Sequence, residues 1–203
     1  MAVLVVPVSA AMVALAQPFM RVVVFGRAAE GEGVGLLAAG MASLAVGLFA
    51  YGAFLLATRA YYALGDSRTP AVVALVSAVI GVAVMLLSAP VTEGAARVAA
   101  LGLGHSVAQL AGMVALLVGL SRRTGHAVVP GALARVAPLS AAVAALAWWV
   151  VEAVDPAGRA ATAGLLTAVG LLGAGAYVGG LRVLGFTSRR HPAEPVTVPE
   201  GGA

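Results

Sequence analysis

The sequence predicts an all-α, polytopic membrane protein with six transmembrane helices, on three observations. Of its 203 residues, 62% are hydrophobic and only 10% charged, where soluble domains run at about 45–50% and about 25%. Apolar runs recur along the chain at the length of about 18 residues or more that crosses a hydrocarbon core of about 30 Å. No alternating strand pattern of the kind that builds a barrel is present, so each span must satisfy its own backbone as a helix.

In chain order, spans are expected at residues 3–25, 34–64, 71–89, 96–120, 131–151 and 160–184. The first is too long for a signal-peptide core and no basic segment precedes it. Within it, Gln17 stands beside Pro18, and the pair predicts a kink whose freed carbonyl the glutamine amide satisfies. Arg21 follows one turn on, where it snorkels or meets a lipid phosphate. The second span is longer than a bilayer requires, so it is expected to tilt or to project into water. The fourth carries His105, Ser106 and Gln109, with His105 and Gln109 one turn apart. An ionisable histidine at membrane depth is a functional candidate, set against a neutral histidine bonded to a neighbouring helix. Trp148 and Trp149 place an aromatic belt at one end of the fifth span. In the sixth, Gly173, Gly175, Gly179 and Gly180 include a small-xxx-small pair, Gly175 and Gly179. That predicts close helix packing, with a lipid-facing groove as the alternative. Residues 187–203 are proline-rich and polar and read as a disordered tail.

The same composition excludes several functions. There is no cysteine, no metal-ligand cluster, no phosphate-binding glycine loop and no Ser/His/Asp set in a water-accessible loop. An enzyme is not expected, and neither is a cofactor or a metal. The pI near 10.3 is not a nucleic-acid signal, because the arginines stand singly or in pairs at segment ends. Membrane lipids are the expected partners. Arg68, Arg122, Arg123, Arg189 and Arg190, with Arg135 and Arg182 close by, fall on one side of the six spans. Arg27, Arg97 and Arg159 fall on the other, together with Glu30, Glu32, Glu93, Glu152 and Asp155. Positive charge marks the first side, with both chain ends, as cytoplasmic.

One stretch stands out, RAYYALGDSRTP at 59–70, where three charges interrupt the apolar sequence. Arg59 is close enough to its helix end to snorkel, and Tyr61 and Tyr62 fit an interfacial belt. Gly65 suits a helix C-cap, and Thr69-Pro70 suits the start of the next helix, with the threonine as N-cap. A well-punctuated hairpin therefore explains the segment. The sharper reading adds that Asp66, paired with Arg59 or Arg68, forms a switchable contact at the inner gate of a transporter.

RAYYALGDSRTP closely resembles the end of the tenth helix of the MurJ/MviN family of lipid II flippases, which carries a similar R-x-F-Y-A-x-x-D-x-R-T-P pattern. Upstream, PVSAAMVALAQPFMRVVVFGRA at 7–28 is similar to the family's ninth helix. The order of spans downstream is similar to helices eleven to fourteen. The resemblance implies part of a MATE/MOP-like flippase fold, translocating the undecaprenyl-pyrophosphate-linked peptidoglycan precursor across the bacterial inner membrane by alternating access. Residues 1–125 would belong to the second transport lobe. Residues 126–186 would be the two C-terminal helices, flanking a groove for the polyprenyl tail near Gly173, Gly175 and Gly179, and 187–203 a cytoplasmic tail. The family has fourteen such helices. Its head-group residues lie in helices without a counterpart here, so the polyprenyl-linked substrate is expected to bind only together with those N-terminal helices. The alternatives are another exporter of the superfamily, for polysaccharide units or drugs, and an enzyme acting on polyprenyl phosphates. The enzyme would need acidic or histidine clusters in an interfacial loop.

Overall fold

A computed structural model describes residues 2–125 and 133–184, and all of the secondary structure in them is helical. Eight α-helices follow in order: α1 (Ala2–Ala14), α2 (Ala16–Val23), α3 (Gly33–Val46), α4 (Leu48–Ala63), α5 (Arg68–Ser88), α6 (Gly94–Thr124), α7 (Leu133–Val154) and α8 (Arg159–Val183). Four of them, α5 to α8, are long and apolar enough to cross a membrane alone. The other four form two bent pairs, α1 with α2 at 74° and α3 with α4 at 41°, so the spans number six if each pair counts as one. The expected tail at 187–203 and the start of the fifth span lie outside the described residues.

Both bends have local causes. Pro18 sits in the first turn of α2 and has no N–H to return to Ala14, so the ladder breaks at Leu15. The expected kink is present, but Gln17 forms no bond to the freed carbonyl; its side chain lines a cavity instead. The second span, expected to tilt or to project into water, instead breaks at Gly47. There the Gly47 N–H turns to the Leu44 carbonyl at 3.1 Å, a three-residue step, leaving the Ser43 carbonyl without its helical donor. Ser106 of α6 supplies one: its buried hydroxyl donates to Ser43 O at 2.7 Å. A side chain inserted into the i→i−4 ladder is a recognised source of helix bending.

Helix α6 is the spine of the bundle, packed along α3, α4 and α5. With 31 residues it is about 46 Å long at about 1.5 Å per residue, more than a bilayer core needs. Its buried positions are mostly small: Gly102, Gly104, Ser106, Ala108 and Gly112, with Leu116 below them. Lipid offers no hydrophobic gain for helix association, so close backbone approach must supply it. A Cβ on Gly104 would lie 2.6 Å from Met85 Cγ and 3.1 Å from the Gly81 carbonyl oxygen, and one on Gly112 would lie 2.9 Å from the Phe54 ring. Helices α7 and α8 pack on the other flank, against α1 and α2. Leu15 packs there against buried Ala147, Val151 and Val169.

Candidate functional site

At one end of the bundle, the turn between α4 and α5 is built as the sequence suggests, with two changes of role. Gly65 adopts a positive φ of 74°, the left-handed geometry glycine favours, and closes α4. The Asp66 N–H reaches Tyr61 O at 3.0 Å and the Gly65 N–H reaches Tyr62 O at 3.0 Å, the paired bonds of a Schellman C-cap. Helix α5 starts at Arg68, ahead of the expected Thr69 N-cap; Ser67 holds the N-cap position without a side-chain bond, and Asp66 before it supplies the capping carboxylate. Its carboxylate accepts from the Thr69 N–H at 2.9 Å and from the Thr69 hydroxyl at 2.7 Å. Thr69 therefore donates to the cap, and Pro70 is buried in the first turn.

The cation that meets Asp66 is Arg123, from the last turn of α6, at 2.6 Å. Arg59 and Arg68, the partners expected from their spacing, are exposed and make no ion pair with it. Arg123 also donates to the Thr69 hydroxyl at 3.4 Å and lies over the Tyr61 ring, 4.9 Å from its centroid. Tyr61 is 1% exposed, so it is a core residue of the α4–α5–α6 contact rather than a belt residue; Tyr62 is 56% exposed. These contacts hold the Asp66 carboxyl at a pKa of about 2, below its ordinary 3.8. The Thr69 backbone N–H is the largest cause, then the Thr69 hydroxyl, with the hydrogen bond and charge of Arg123 adding to them. Asp66 thus ties three helices together at their ends.

Deeper in the bundle, His105 and Gln109 are brought together. They face a cavity of about 340 Å³ between α4, α5 and α6, beside Phe54, Ser77 and Met85. His105 is largely exposed, and the polar group that holds two helices together is its neighbour Ser106.

At the opposite end, Gln17 and Arg21 line a cavity of about 580 Å³ with Trp148, Glu152, Asp155 and Thr162, over a floor of Val13, Ala38, Ala39 and Ala42. Two other arginines of this end act on backbone carbonyls. Arg159 donates to Val24 O at 2.6 Å and Arg21 O at 3.4 Å, closing the carbonyl end of α2, and stacks 3.9 Å from the Phe25 ring centroid. Arg97 donates to Ala89 O and Thr92 O, both at 2.9 Å.

An apolar groove of about 350 Å³ runs between α1, α7 and α8. Gly173 lines it; Gly175 and Gly179 do not. A Cβ on either of the latter would meet nothing within 4 Å, so the small-xxx-small pair makes no close helix contact among the described residues. Gly180 is the close-packed one: a Cβ there would lie 2.8 Å from a Leu139 methyl. Tyr177 closes the groove by donating to Val3 O at 2.7 Å. Sequence reading missed Arg123 as the partner of Asp66, Ser106 as the ladder insertion, and Tyr177. Only Arg123 left a sequence signal, as one of two arginines in a helix's last turn. Among the described residues no cluster of three or more histidines and acids is placed to hold a metal.

The helices and this distribution of polar groups define a multi-pass α-helical membrane protein. The family model of the lipid II flippase MurJ matches residues 1–161, from α1 into the first turn of α8, and the chain belongs to that family. No curated protein and no solved structure matches the chain.

Proposed function

We propose that this chain is the C-terminal part of a lipid II flippase, residues 1–125 contributing to the second transport lobe and 126–186 the two helices after it. The observation that carries the reading is the family match over residues 1–161, which includes the 59–70 hairpin. It acts in the bacterial inner membrane, with the Asp66 end cytoplasmic, and is a transporter rather than an enzyme. Alternating access suits a bundle whose helices α3 and α4 already meet at a break held by one hydroxyl. The polyprenyl tail would lie in the apolar groove between α1, α7 and α8.

A pyrophosphate head group needs charge-assisted bonds inside a polar path, because an unpaired charge in hydrocarbon costs several kcal/mol. The described spans hold no cluster of cations at mid-depth; apart from hydroxyls such as Ser43, Ser77, Ser106 and Ser140, the polar side chains there are Gln17, His105 and Gln109. The head group is therefore met by helices beyond residues 1–203. The test is complementation of a flippase-depleted strain. Residues 1–203 alone are expected to insert without restoring growth, and co-expression with a chain supplying the preceding helices to restore it. Growth without a partner would overturn this account of where the substrate binds.

A further inference from the structure

We propose that the cavity at the Arg21 end is a binding site for a zwitterionic lipid head group bearing a phosphate and a primary ammonium. Its volume of about 580 Å³ lies within the range of about 300–1,000 Å³ typical of ligand sites. It is lined by charges of both signs, Arg21 on α2 and Glu152 and Asp155 at the end of α7. Among the described residues, none of these side chains has an ion-pair partner; the salt bridge present is Asp66–Arg123 at the far end of the bundle. Opposite charges that share a cavity without pairing suit a ligand that is itself dipolar. Arg21 and the Gln17 amide would take the phosphate. Glu152 and Asp155 would take the ammonium, with the Trp148 ring available to the cation.

The position selects a lipid over a soluble zwitterion. Trp148 and Trp149, exposed at the end of α7, set this depth at the head-group level. The cavity floor is apolar, so acyl chains can continue where the polar lining stops. Glu32 and Glu93 line an adjoining cavity that shares Gln17 and Arg21, which biases the whole region against a purely anionic head group.

The experiment uses residues 1–203 reconstituted in nanodiscs of phosphatidylethanolamine, phosphatidylcholine and phosphatidylglycerol in equal parts. Lipid retained after extraction is counted by native mass spectrometry. Phosphatidylethanolamine is expected to be retained about tenfold over phosphatidylcholine, whose methylated ammonium has no N–H to donate to the acids. Arg21→Gln should lower retention of both about tenfold, and Glu152→Gln with Asp155→Asn should abolish the preference between them. Asparagine tolerates the positive φ of 39° at Asp155, so Asp155→Asn alone serves if the double variant fails to fold. Glu30→Gln, outside the cavity, should change nothing. Equal retention of the three lipids, a preference for phosphatidylglycerol, or a preference that survives the acid variants would overturn the proposal. Displacement by free phosphoethanolamine at the same concentration as the lipid would assign the cavity to a soluble ligand and overturn it too.

Discussion

Asp66 shows how much a single carboxylate can do at the end of a membrane hairpin. It caps α5 and pairs with α6 in one geometry, so removing its charge weakens both at once. In a full-length flippase, Asp66→Asn and Arg123→Gln are expected to impair transport while leaving membrane insertion intact, and the double variant to be no worse than the more severe single one. Arg59→Gln, whose side chain is exposed, should transport normally. Equal loss in Arg59→Gln and Arg123→Gln would contradict the observed pairing. The pH dependence follows from the lowered pKa. The carboxyl is depressed in the folded state, so its stabilisation is complete above about 3.8 and is lost as pH falls towards about 2. The gap in Tm between wild type and Asp66→Asn should therefore stay constant from pH 8 to 5 and close only below 3.8. A gap that closes near neutrality would make Asp66 a proton-coupled group, against the geometry described.

At the scale of the helix, the sequence makes the first bend legible and hides the second. Pro18 lacks a donor wherever it is placed, so its kink can be read from one residue. Gly47 has an ordinary right-handed conformation, φ −84°, and nothing in the local sequence distinguishes it from other glycines of the chain. Its break depends on Ser106, 63 residues beyond Ser43, and periodicity carries no information about that distance. The glycine pair 175 and 179 erred in the other direction, since spacing permits a contact and only the neighbouring helix decides it. Two changes test the bend. Ser106→Ala leaves the Ser43 carbonyl unpaired and is expected to cost about 1–3 kcal/mol. Gly47→Ala places a methyl 2.7 Å from Ser106 Cα, backbone that cannot give way, and is expected to cost about 1–3 kcal/mol by overpacking. Spin labels at Leu37 and Leu56, both exposed on either side of the break, read the consequence. The distance between them should lengthen or broaden in Ser106→Ala; an unchanged distribution would show that Gly47 bends the span unaided.

For the whole molecule, composition and hydropathy were enough to place four spans and two bent pairs, six in all if each pair counts as one, because the demand that each backbone satisfy itself in lipid leaves few alternatives. They could not show which flank each helix takes. That α7 and α8 rest on α1 and α2 is set by contacts far apart in the chain, such as Tyr177 with Val3. Orientation across the membrane is a separate question, and the arginines bear on it unequally. Arg97 and Arg159 are engaged with carbonyls at the Arg21 end, while Arg59, Arg68 and Arg122 are exposed at the other. Cysteines introduced at Ser67 and Thr124 are expected to resist an impermeant thiol reagent in intact cells, and those at Gly31 and Ala157 to label. The reverse pattern would invert the protein.

Arg159 also implies an order of assembly. The carbonyl end of α2 is synthesised first, but the side chain that closes it arrives some 135 residues later, with the first residue of α8. Until then the Arg21 and Val24 carbonyls lack the donor that Arg159 supplies. Closure of this end therefore waits for the α7–α8 hairpin, however soon the earlier spans enter the membrane. A nascent chain arrested before Arg159 should be cut by protease near Phe25, and one arrested well beyond α8 should be protected there.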